Sequence, residues 1–262
     1  MASPSAREAL PADTYATDAT DEEWGIRIQD KSYWEERYQR EHAENSGSFE
    51  WYGGYNTVSD LLLEYVPKGC DIIELGCGNS SMSVEMWEDG YSEGSVTAMD
   101  FAGSVIKQLN AQYKEMVEKS DNRLRFVEAD ARRLVAAKEF AAKSVDAVID
   151  KATSDAMLSG PTGLDDIYAV AQSVNEVLRD SGTFFIISHI DPTEDMSWVS
   201  DGILPGLRYK DAEKSIWRLE IHSSGEEESA PHCYAFCKRP RRVTRSQTRG
   251  EECEVVVKHF IH

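Results

Sequence analysis

The stretch DIIELGCGNSS, residues 71–81, decides the fold. An apolar run of strand length ends at Leu75 and passes directly into a glycine turn, Gly76-Cys-Gly78, which is followed by residues that suit the start of a helix. Glycine lets the backbone approach a ligand closely, and the free N–H groups of a helix start suit a carboxylate or a phosphate. The dinucleotide-binding pattern G-x-G-x-x-G is incomplete, because Ser81 occupies the place of the third glycine. The stretch therefore predicts a ligand-binding strand–turn–helix unit and disfavours a nicotinamide or flavin enzyme.

Further apolar runs of strand length follow this unit, each succeeded by a helical or looped stretch. They lie at 96–100, 124–130, 145–150 and 183–189. Between them, apolar residues recur with a period near 3.6. Such alternation predicts an α/β fold with a doubly wound, parallel sheet. Two later runs, 216–222 and 232–238, predict a closing antiparallel pair.

The chain divides into three parts by composition. Residues 1–29 mix Pro, Ala, Ser, Thr and Asp without an apolar period, which predicts a flexible leader. Residues 30–240 are expected to form the one folded domain, and aromatic residues at helical spacing from Lys31 predict a helical extension before the first strand. Residues 241–262 are interpreted as a basic linker and tail that carries a last apolar run.

Composition limits the class of protein. The 262 residues are 41% hydrophobic and 29% charged, which is ordinary for a globular protein and excludes disordered and collagen-like classes. The formal net charge of −19 disfavours nucleic acid and anionic lipid as partners and favours basic ones. No apolar run is long enough to cross a membrane and the start lacks a signal-peptide core, so we expect a cytoplasmic protein. The scattered, odd set of 5 cysteines predicts reduced thiols.

Acidic residues end the second and third predicted strands. Asp100 follows Gly76 by 24 residues, near the offset of about 20 at which an acid meets a ribose diol. Asp130 would lie at the same edge of the sheet and could accept a hydrogen bond from an adenine amine. Single acids at such places are commonly solvated turn or cap residues. Together with the glycine turn, the two acids predict an adenosine ligand without phosphates, and S-adenosylmethionine fits this description best.

Aromatic residues upstream of the first strand give a second signal. Trp34 and Tyr38 share one helix face at positions i and i+4. With Trp51 they are predicted to wall the cofactor, where an aromatic face attracts a sulfonium through cation–π interaction. Simple core packing is the alternative. Lys151, directly after the fourth predicted strand, reads either as a solvated lysine or as a ligand-binding group.

Several motifs of the chain resemble those of a known protein family. They are YWEERY (33–38), FEWYG (49–53), ELGCGNS (74–80), AMD (98–100), EAD (128–130) and DKATSDA (150–156). These motifs resemble the class I, seven-stranded S-adenosylmethionine-dependent methyltransferases of the methyltransferase-like group, and more narrowly the elongation factor 1-alpha lysine methyltransferases. The resemblance covers residues 31–189 and implies a mostly parallel, seven-stranded Rossmann-like sheet with an N-terminal helical extension.

The resemblance also implies roles for individual residues. The methionine end and the sulfonium would lie near Trp34, Tyr38 and Trp51, with Gly76 beneath and Asn79 close by. Asp100 would hold the ribose and Phe101 would lie against the adenine. Asp130 and the backbone of Ala131 would read the adenine amine, and Lys151 would lie at the mouth of the site. These ten residues are the predicted cofactor contacts.

The loop after the fourth strand departs from the family pattern D-K-G-T-L-D-A. Ala152 replaces the glycine and Ser154 the leucine, at the border of the expected acceptor pocket. A lysine acceptor must lose a proton before it attacks, and an apolar mouth lowers its pKa, so no catalytic base is assigned. Asp155 is the carboxylate best placed to orient an incoming ammonium, with a helix-cap or loop role as the alternative.

Three functions are compatible with these patterns. The first is a protein-lysine methyltransferase, a monomer acting on a basic protein such as a translation elongation factor; the second is a small-molecule methyltransferase. The third is a catalytically silent binding module with the same fold. A zinc site at Cys233 and Cys237 is disfavoured, because their spacing suits one face of a strand, and no metal is predicted. The arginines at 239–249 could contact RNA or act as a nuclear address, but a solvated tail fits the acidic chain better.

Overall fold

A computed structural model describes residues 21–210, 215–224, 231–240 and 253–260 of the chain. Its centre is one mixed sheet. In chain order the strands are β1 (Asp71–Leu75), β2 (Ser95–Asp100), β3 (Leu124–Glu128), β4 (Val145–Lys151), β5 (Leu178–Ser188), β6 (Ser215–Ser224), β7 (His232–Pro240) and β8 (Cys253–Phe260).

The spatial order of the strands is β3-β2-β1-β4-β5-β7-β6-β8. The first five strands are parallel, and β7 pairs antiparallel with both β5 and β6. The connections run from β1 outward to β2 and β3, and then return to β4 on the other side of β1. This reversal leaves a crevice at the carboxyl ends of β1 and β4, which is where ligands bind in open α/β sheets. The predicted doubly wound, mostly parallel, Rossmann-like fold is confirmed.

Helices cover the two faces of the sheet and precede it. They are α1 (Asp21–Gln29), α2 (Lys31–Glu44), α3 (Ser59–Tyr65), α4 (Met82–Glu88), α5 (Gly103–Gln112), α6 (Lys114–Lys119), α7 (Thr153–Leu158), α8 (Gly163–Val177) and α9 (Leu204–Leu207), the last preceded by a π-helix at Trp198–Ile203. No helix within the described ranges is both long and apolar enough to cross a membrane.

The sheet is buried on both faces because its parallel strands carry continuous apolar runs. Ile72 packs into the core on one face and its neighbour Ile73 into the core on the other, and both side chains are excluded from water. Helix α5 contributes Val105 to the first core, and α8 contributes Val170 to the second. The apolar positions that predicted strands and helices are therefore the positions that hold the layers together.

Two predicted boundaries change. Residues 21–29 of the expected flexible leader form α1, and Ile28 on this helix is buried in the core. Residues 253–260 of the expected tail form β8, which pairs with β6 and extends the seven predicted strands to eight. The last apolar run of the tail corresponds to β8, but its pairing with β6, like the docking of α1, depends on a partner distant in sequence. Residues 1–20 and 241–252, the rest of the leader and the basic linker, lie outside the described residues.

The N-terminal extension comprises residues 21–65, and its first two helices lie beside the carboxyl ends of the strands. Glu35 on α2 accepts hydrogen bonds from the backbone N–H groups of Gly103 (2.8 Å) and Ser104 (2.9 Å) at the start of α5. Gln29 at the end of α1 donates to the backbone carbonyl of Met157 on α7 (2.6 Å). The extension is thus fastened to helices on both sides of the crevice.

Candidate functional site

A cavity lies between the carboxyl ends of β1, β2 and β4 and the N-terminal extension. All ten residues predicted to contact the cofactor line it. They come from α2, from the turn at 49–53 and from the loops after four strands, so only the fold brings them together. Their roles toward a cofactor stay predictions, whereas their convergence on one cavity is a property of the structure.

The turn after β1 forms the floor of the cavity. Gly76 and Gly78 have positive φ angles of 56° and 51°, a region that costs other residues strain. A Cβ atom at position 76 would lie 2.1 Å from Oγ1 of Thr153, and one at position 78 would lie 2.6 Å from the hydroxyl oxygen of Tyr38. Glycine is required at both positions, and the backbone is left facing the cavity. Helix α4 begins as predicted, with the hydroxyl of Ser80 accepting from the N–H of Met82 (3.1 Å).

Asp100 lies beside this turn at the end of β2 and is 3% exposed. The N–H of Gly78 donates to its Oδ2 (3.0 Å) and the N–H of Ala102 donates to its Oδ1 (2.8 Å). Burial raises the pKa of Asp100 to about 6, although these two backbone bonds favour the charged form. Each oxygen keeps a lone pair, because an ionised carboxylate has about four acceptor positions. Asp100 is therefore an ionised acceptor at neutral pH, as a ribose diol requires.

Asp130, predicted to accept from an adenine amine, has a protein partner. Its Oδ1 accepts from the backbone and Nε of Arg132, and its Oδ2 accepts from the same guanidinium (2.9 Å). Burial opposes ionisation, but the hydrogen bonds from Arg132 outweigh it and hold the pKa of Asp130 below its ordinary value. Arg132 also binds Asp166 (2.8 Å). Asp130 therefore has two roles: it lines the cavity together with Ala131, and it positions Arg132 beside the cavity.

The aromatic wall, formed by Trp34, Tyr38 and Trp51, has both of the roles considered for it: it packs against the core and it lines the cavity. Trp34 and Tyr38 stack with ring centroids 5.7 Å apart, belong to the core and line the cavity. The sequence gave no reason to include Arg37, whose guanidinium lies 5.4 Å from the centroid of Trp34 and 5.9 Å from that of Trp51. Arg37 is 4% exposed and binds Glu41 (2.7 Å). This wall therefore already contains a buried, paired cation.

Asn79 connects the floor to the extension. Its side-chain amide donates to Glu41 (3.1 Å) and to the backbone carbonyl of Gly47 (3.2 Å). Phe101, the residue after Asp100, lines the cavity and is partly buried, as the adenine-facing prediction requires.

Lys151 is buried and not solvated. It is 7% exposed and forms an ion pair with Glu50, and its ammonium also donates to the backbone carbonyl of Trp51 (3.3 Å). Glu50 in turn accepts from the hydroxyl of Ser80 (2.7 Å) and from the N–H of Ser81 (2.6 Å). Lys151 and Glu50 therefore fix the aromatic turn to the glycine turn. The sequence pattern does not reveal the role of Glu50, because its partner is 101 residues away.

The loop after β4 contains a strained residue. Ala152 has a φ of 66°, in the left-handed region that glycine occupies at no cost, and glycine is what the family pattern has here. Asp150 holds the loop by accepting from the N–H groups of Thr153 (2.9 Å) and Ser154 (3.2 Å). Burial raises the pKa of Asp150 to about 7. Asp155 lies within α7 and its side chain accepts from Ser188, so the helix-cap or loop role considered for it is wrong.

Comparison with known proteins agrees with this geometry. The sequence profile described as "Methyltransferase domain" matches residues 67–226, which is more than half of the chain. The EEF1A lysine methyltransferase 4 of Bos taurus is 32% identical over 168 residues, which are 61% of this chain and 61% of that protein. The eEF1A lysine and N-terminal methyltransferase of Danio rerio is 33% identical over 60% of this chain and 21% of its own length. The chain thus spans less than two thirds of these curated relatives.

A further curated relative and a solved structure match the chain at lower sequence identity. A citrate synthase-lysine N-methyltransferase of Danio rerio is 25% identical over 66% of this chain and 72% of that protein. Among solved structures, a chain of the complex between the Trm112 methyltransferase activator of Haloferax volcanii and a methyltransferase superimposes with a TM-score of 0.50 at 11% identity. That match covers 83% of this chain and 99% of the other, and it supports the fold alone.

Proposed function

Because the chain belongs to the methyltransferase-domain family, we propose that it transfers the methyl group of S-adenosylmethionine to a lysine side chain of a basic protein. Membership in this family confirms both the predicted cofactor and the resemblance to a known family. The lysine acceptor is supported by those curated relatives whose names specify lysine, although these names specify different target proteins. The shared acceptor chemistry supports a lysine pocket, and it leaves the target protein open.

The residues of the cavity fit S-adenosylmethionine. Gly76 and Gly78 expose backbone where the methionine part would pass, and the buried Asp100 offers two free acceptor positions to a ribose. Phe101 and Ala131 supply the apolar and backbone surface that an adenine needs. When bound, the cofactor supplies an activated methyl group on a positive sulfur. The single observation that carries the proposal is the joint placement of the glycine floor, Asp100 and the aromatic wall on one cavity.

The chain itself has to orient the acceptor and exclude water. Trp51 and Tyr52 of the extension line the cavity, so a lysine that enters there leaves water for an aromatic surface. Desolvation lowers the pKa of an ammonium group and favours the neutral amine that can attack. The proton can leave to water, and most of the rate enhancement would come from orientation. The net charge of −19 would accelerate encounter with a basic protein.

A labelling experiment separates this function from its alternatives. The purified protein is incubated with tritium-labelled S-adenosylmethionine and a cell extract freed of small molecules, and the products are separated by size. We expect label on a polypeptide, released as methyl-lysine on hydrolysis. Label found only after small molecules are added back, and only in the low-mass fraction, would show a small-molecule methyltransferase.

The matched variants are Asp100→Asn and Asp165→Asn. Asp165 is an exposed residue on α8, so its amide should label as the wild type does, whereas Asp100→Asn should label weakly. If calorimetry detects no binding of S-adenosylmethionine to the wild-type protein at millimolar concentration, the protein is a silent binding module and the proposal is wrong.

A further inference from the structure

A buried carboxylate on α7 faces the cavity with one oxygen unpaired. Asp155 is 4% exposed and lines the cavity. The hydroxyl of Ser188 donates to its Oδ1 (2.6 Å), whereas its buried Oδ2 has no hydrogen-bond partner among the described residues. A buried polar atom without a partner costs about 1 to 3 kcal/mol, and more when it is charged. Such an atom beside a ligand cavity indicates a donor that arrives with the ligand.

Two side chains, Tyr52 and His189, lie beside Asp155, but neither forms a hydrogen bond of normal geometry with Oδ2. Nδ1 of His189 lies 3.5 Å from Oδ2, a long contact, and 2.8 Å from the hydroxyl oxygen of Tyr52. If the hydroxyl of Tyr52 donates to Nδ1, the neutral imidazole has its proton on Nε2 and offers none to Asp155. Burial lowers the pKa of His189, but hydrogen bonding with Asp155 and the charge of Asp155 outweigh it and raise that pKa. His189 and an incoming cation therefore compete for Oδ2 of Asp155.

We propose that Asp155 receives the ammonium group of the acceptor lysine, an inference that rests on the proposed function and names its acceptor site. An ammonium has three N–H donors and a positive charge, which match the unpaired oxygen. The rings of Trp51 and Tyr52, with centroids 6.2 Å apart, line the same cavity and suit a cation on an alkyl stem. A neutral hydroxyl or carboxylate acceptor would match this niche less well.

The acceptor nitrogen keeps this contact through the reaction. The ammonium first releases one proton to water, and the neutral amine retains two N–H groups. One of them donates to Asp155, which leaves the nitrogen lone pair free. The nitrogen–carbon bond then forms as the sulfur–carbon bond of the cofactor breaks, with the electron pair of that bond going to sulfur. Asp155 thus positions the nitrogen and takes no proton.

The test uses the n-butylammonium ion, which reproduces the end of a lysine side chain. Binding to the full chain is followed by tryptophan fluorescence with S-adenosylhomocysteine present. The wild type should show saturable binding. Asp155→Asn keeps the size of the side chain and the acceptor for Ser188 but replaces the free oxygen with a donor, so binding should weaken at least about tenfold, the loss expected for one charge-assisted hydrogen bond. Affinity for S-adenosylhomocysteine should not change.

Controls separate recognition from folding. Asp155→Asn should unfold at the same temperature as the wild type or higher, because a buried charge without a partner is removed. Asp155→Ala is the second variant. It lacks the carboxylate and also lacks the amide donor that Asn introduces, and it should also bind the ion poorly. Asp165→Asn, on the surface of α8, should bind as the wild type does. Neutral n-butanol should not compete with the ion.

The outcomes also distinguish this inference from the proposed function. Equal binding of n-butylammonium by the wild type and both Asp155 variants, or no binding by the wild type up to 100 mM, refutes the ammonium site. If the tritium assay labels a polypeptide equally with the wild type and Asp155→Asn, lysine methylation stands and the role of Asp155 is wrong. If binding depends on Asp155 but no polypeptide is labelled, the ammonium site stands and the acceptor is a small amine.

Discussion

Binding of S-adenosylmethionine should weaken as the pH falls below 6, because Asp100 must be ionised to accept hydrogen bonds from a ribose. Burial raises the pKa of this carboxyl from its ordinary 3.8 to about 6. If only the ionised form binds, the apparent dissociation constant is multiplied by one plus the ratio of protonated to ionised Asp100. This factor is about 1.1 at pH 7, 2 at pH 6 and 11 at pH 5, since one pH unit changes the ratio tenfold.

The ionisation of Asp100 affects folding stability in the opposite direction to cofactor binding. A carboxyl with a raised folded-state pKa contributes stability below its unfolded value and loses that contribution as the pH rises through about 6. With respect to Asp100, the cofactor-free protein therefore gains stability between pH 6 and 4 while its affinity falls. Loss of binding at pH 5 would then not reflect unfolding by this group, and a thermal scan at each pH checks this.

Isothermal titration calorimetry at pH 7, 6 and 5 and constant ionic strength measures the effect. The amino and carboxyl groups of S-adenosylmethionine, with ordinary pKa values near 8 and 3.5, keep their charges over most of this range. Asp100→Asn should bind more weakly but with little change between pH 7 and 5. Burial also raises the pKa of Glu74, in the same cavity, to about 7. A pH effect that persists in Asp100→Asn and disappears in Glu74→Gln would refute the assignment to Asp100.

Three further predictions concern stability, and each can be measured by chemical unfolding. Ala152→Gly should stabilise the protein by about 0.5 to 1 kcal/mol, because relief of left-handed strain (about 1 to 2 kcal/mol) exceeds the added freedom of the unfolded chain; equal or lower stability would contradict the strain. Gly76→Ala should destabilise by about 2 to 5 kcal/mol through its positive φ and the contact with Thr153, and it should weaken cofactor binding in calorimetry. Glu50→Gln should cost about 2 to 4 kcal/mol by leaving Lys151 buried without its anion, whereas the double variant with Lys151→Met should recover much of the loss; additive losses would contradict the coupling.

The sequence predicted the parts of the site that depend on local signals. Gly76, Asp100 and Asp130 each end an apolar run, and parallel strands bring their carboxyl ends to one edge, so the order of the runs predicts that these residues converge. The helical spacing of Trp34 and Tyr38 predicted a shared face in the same way. Their placement on the cavity follows from the order of the apolar runs and from the helical period near 3.6, both of which can be read from the chain.

The parts that were missed depend on contacts between distant segments. Glu50 is one acid in an acidic chain until the fold brings Lys151 to it, and Lys151 looks solvated until Glu50 is known. Arg37 gives no sign that it will be buried, because arginine is usually exposed and only the surrounding rings and Glu41 make burial tolerable. Strand β8 needs the edge of β6 before it can form. Charge pairs and edge pairing have no period, so a sequence pattern does not reveal them.

The fastening of the N-terminal extension to the sheet has a kinetic consequence. A ligand that contacts both α2 and the turn after β1 links two segments that could otherwise separate. Detachment of the extension from the sheet then costs additional free energy. This free energy grows with the logarithm of the ligand concentration once that concentration exceeds the dissociation constant. Amide protons in α2 should therefore exchange more slowly in the complex, and the residence time of a bound nucleoside should depend on how often this segment detaches.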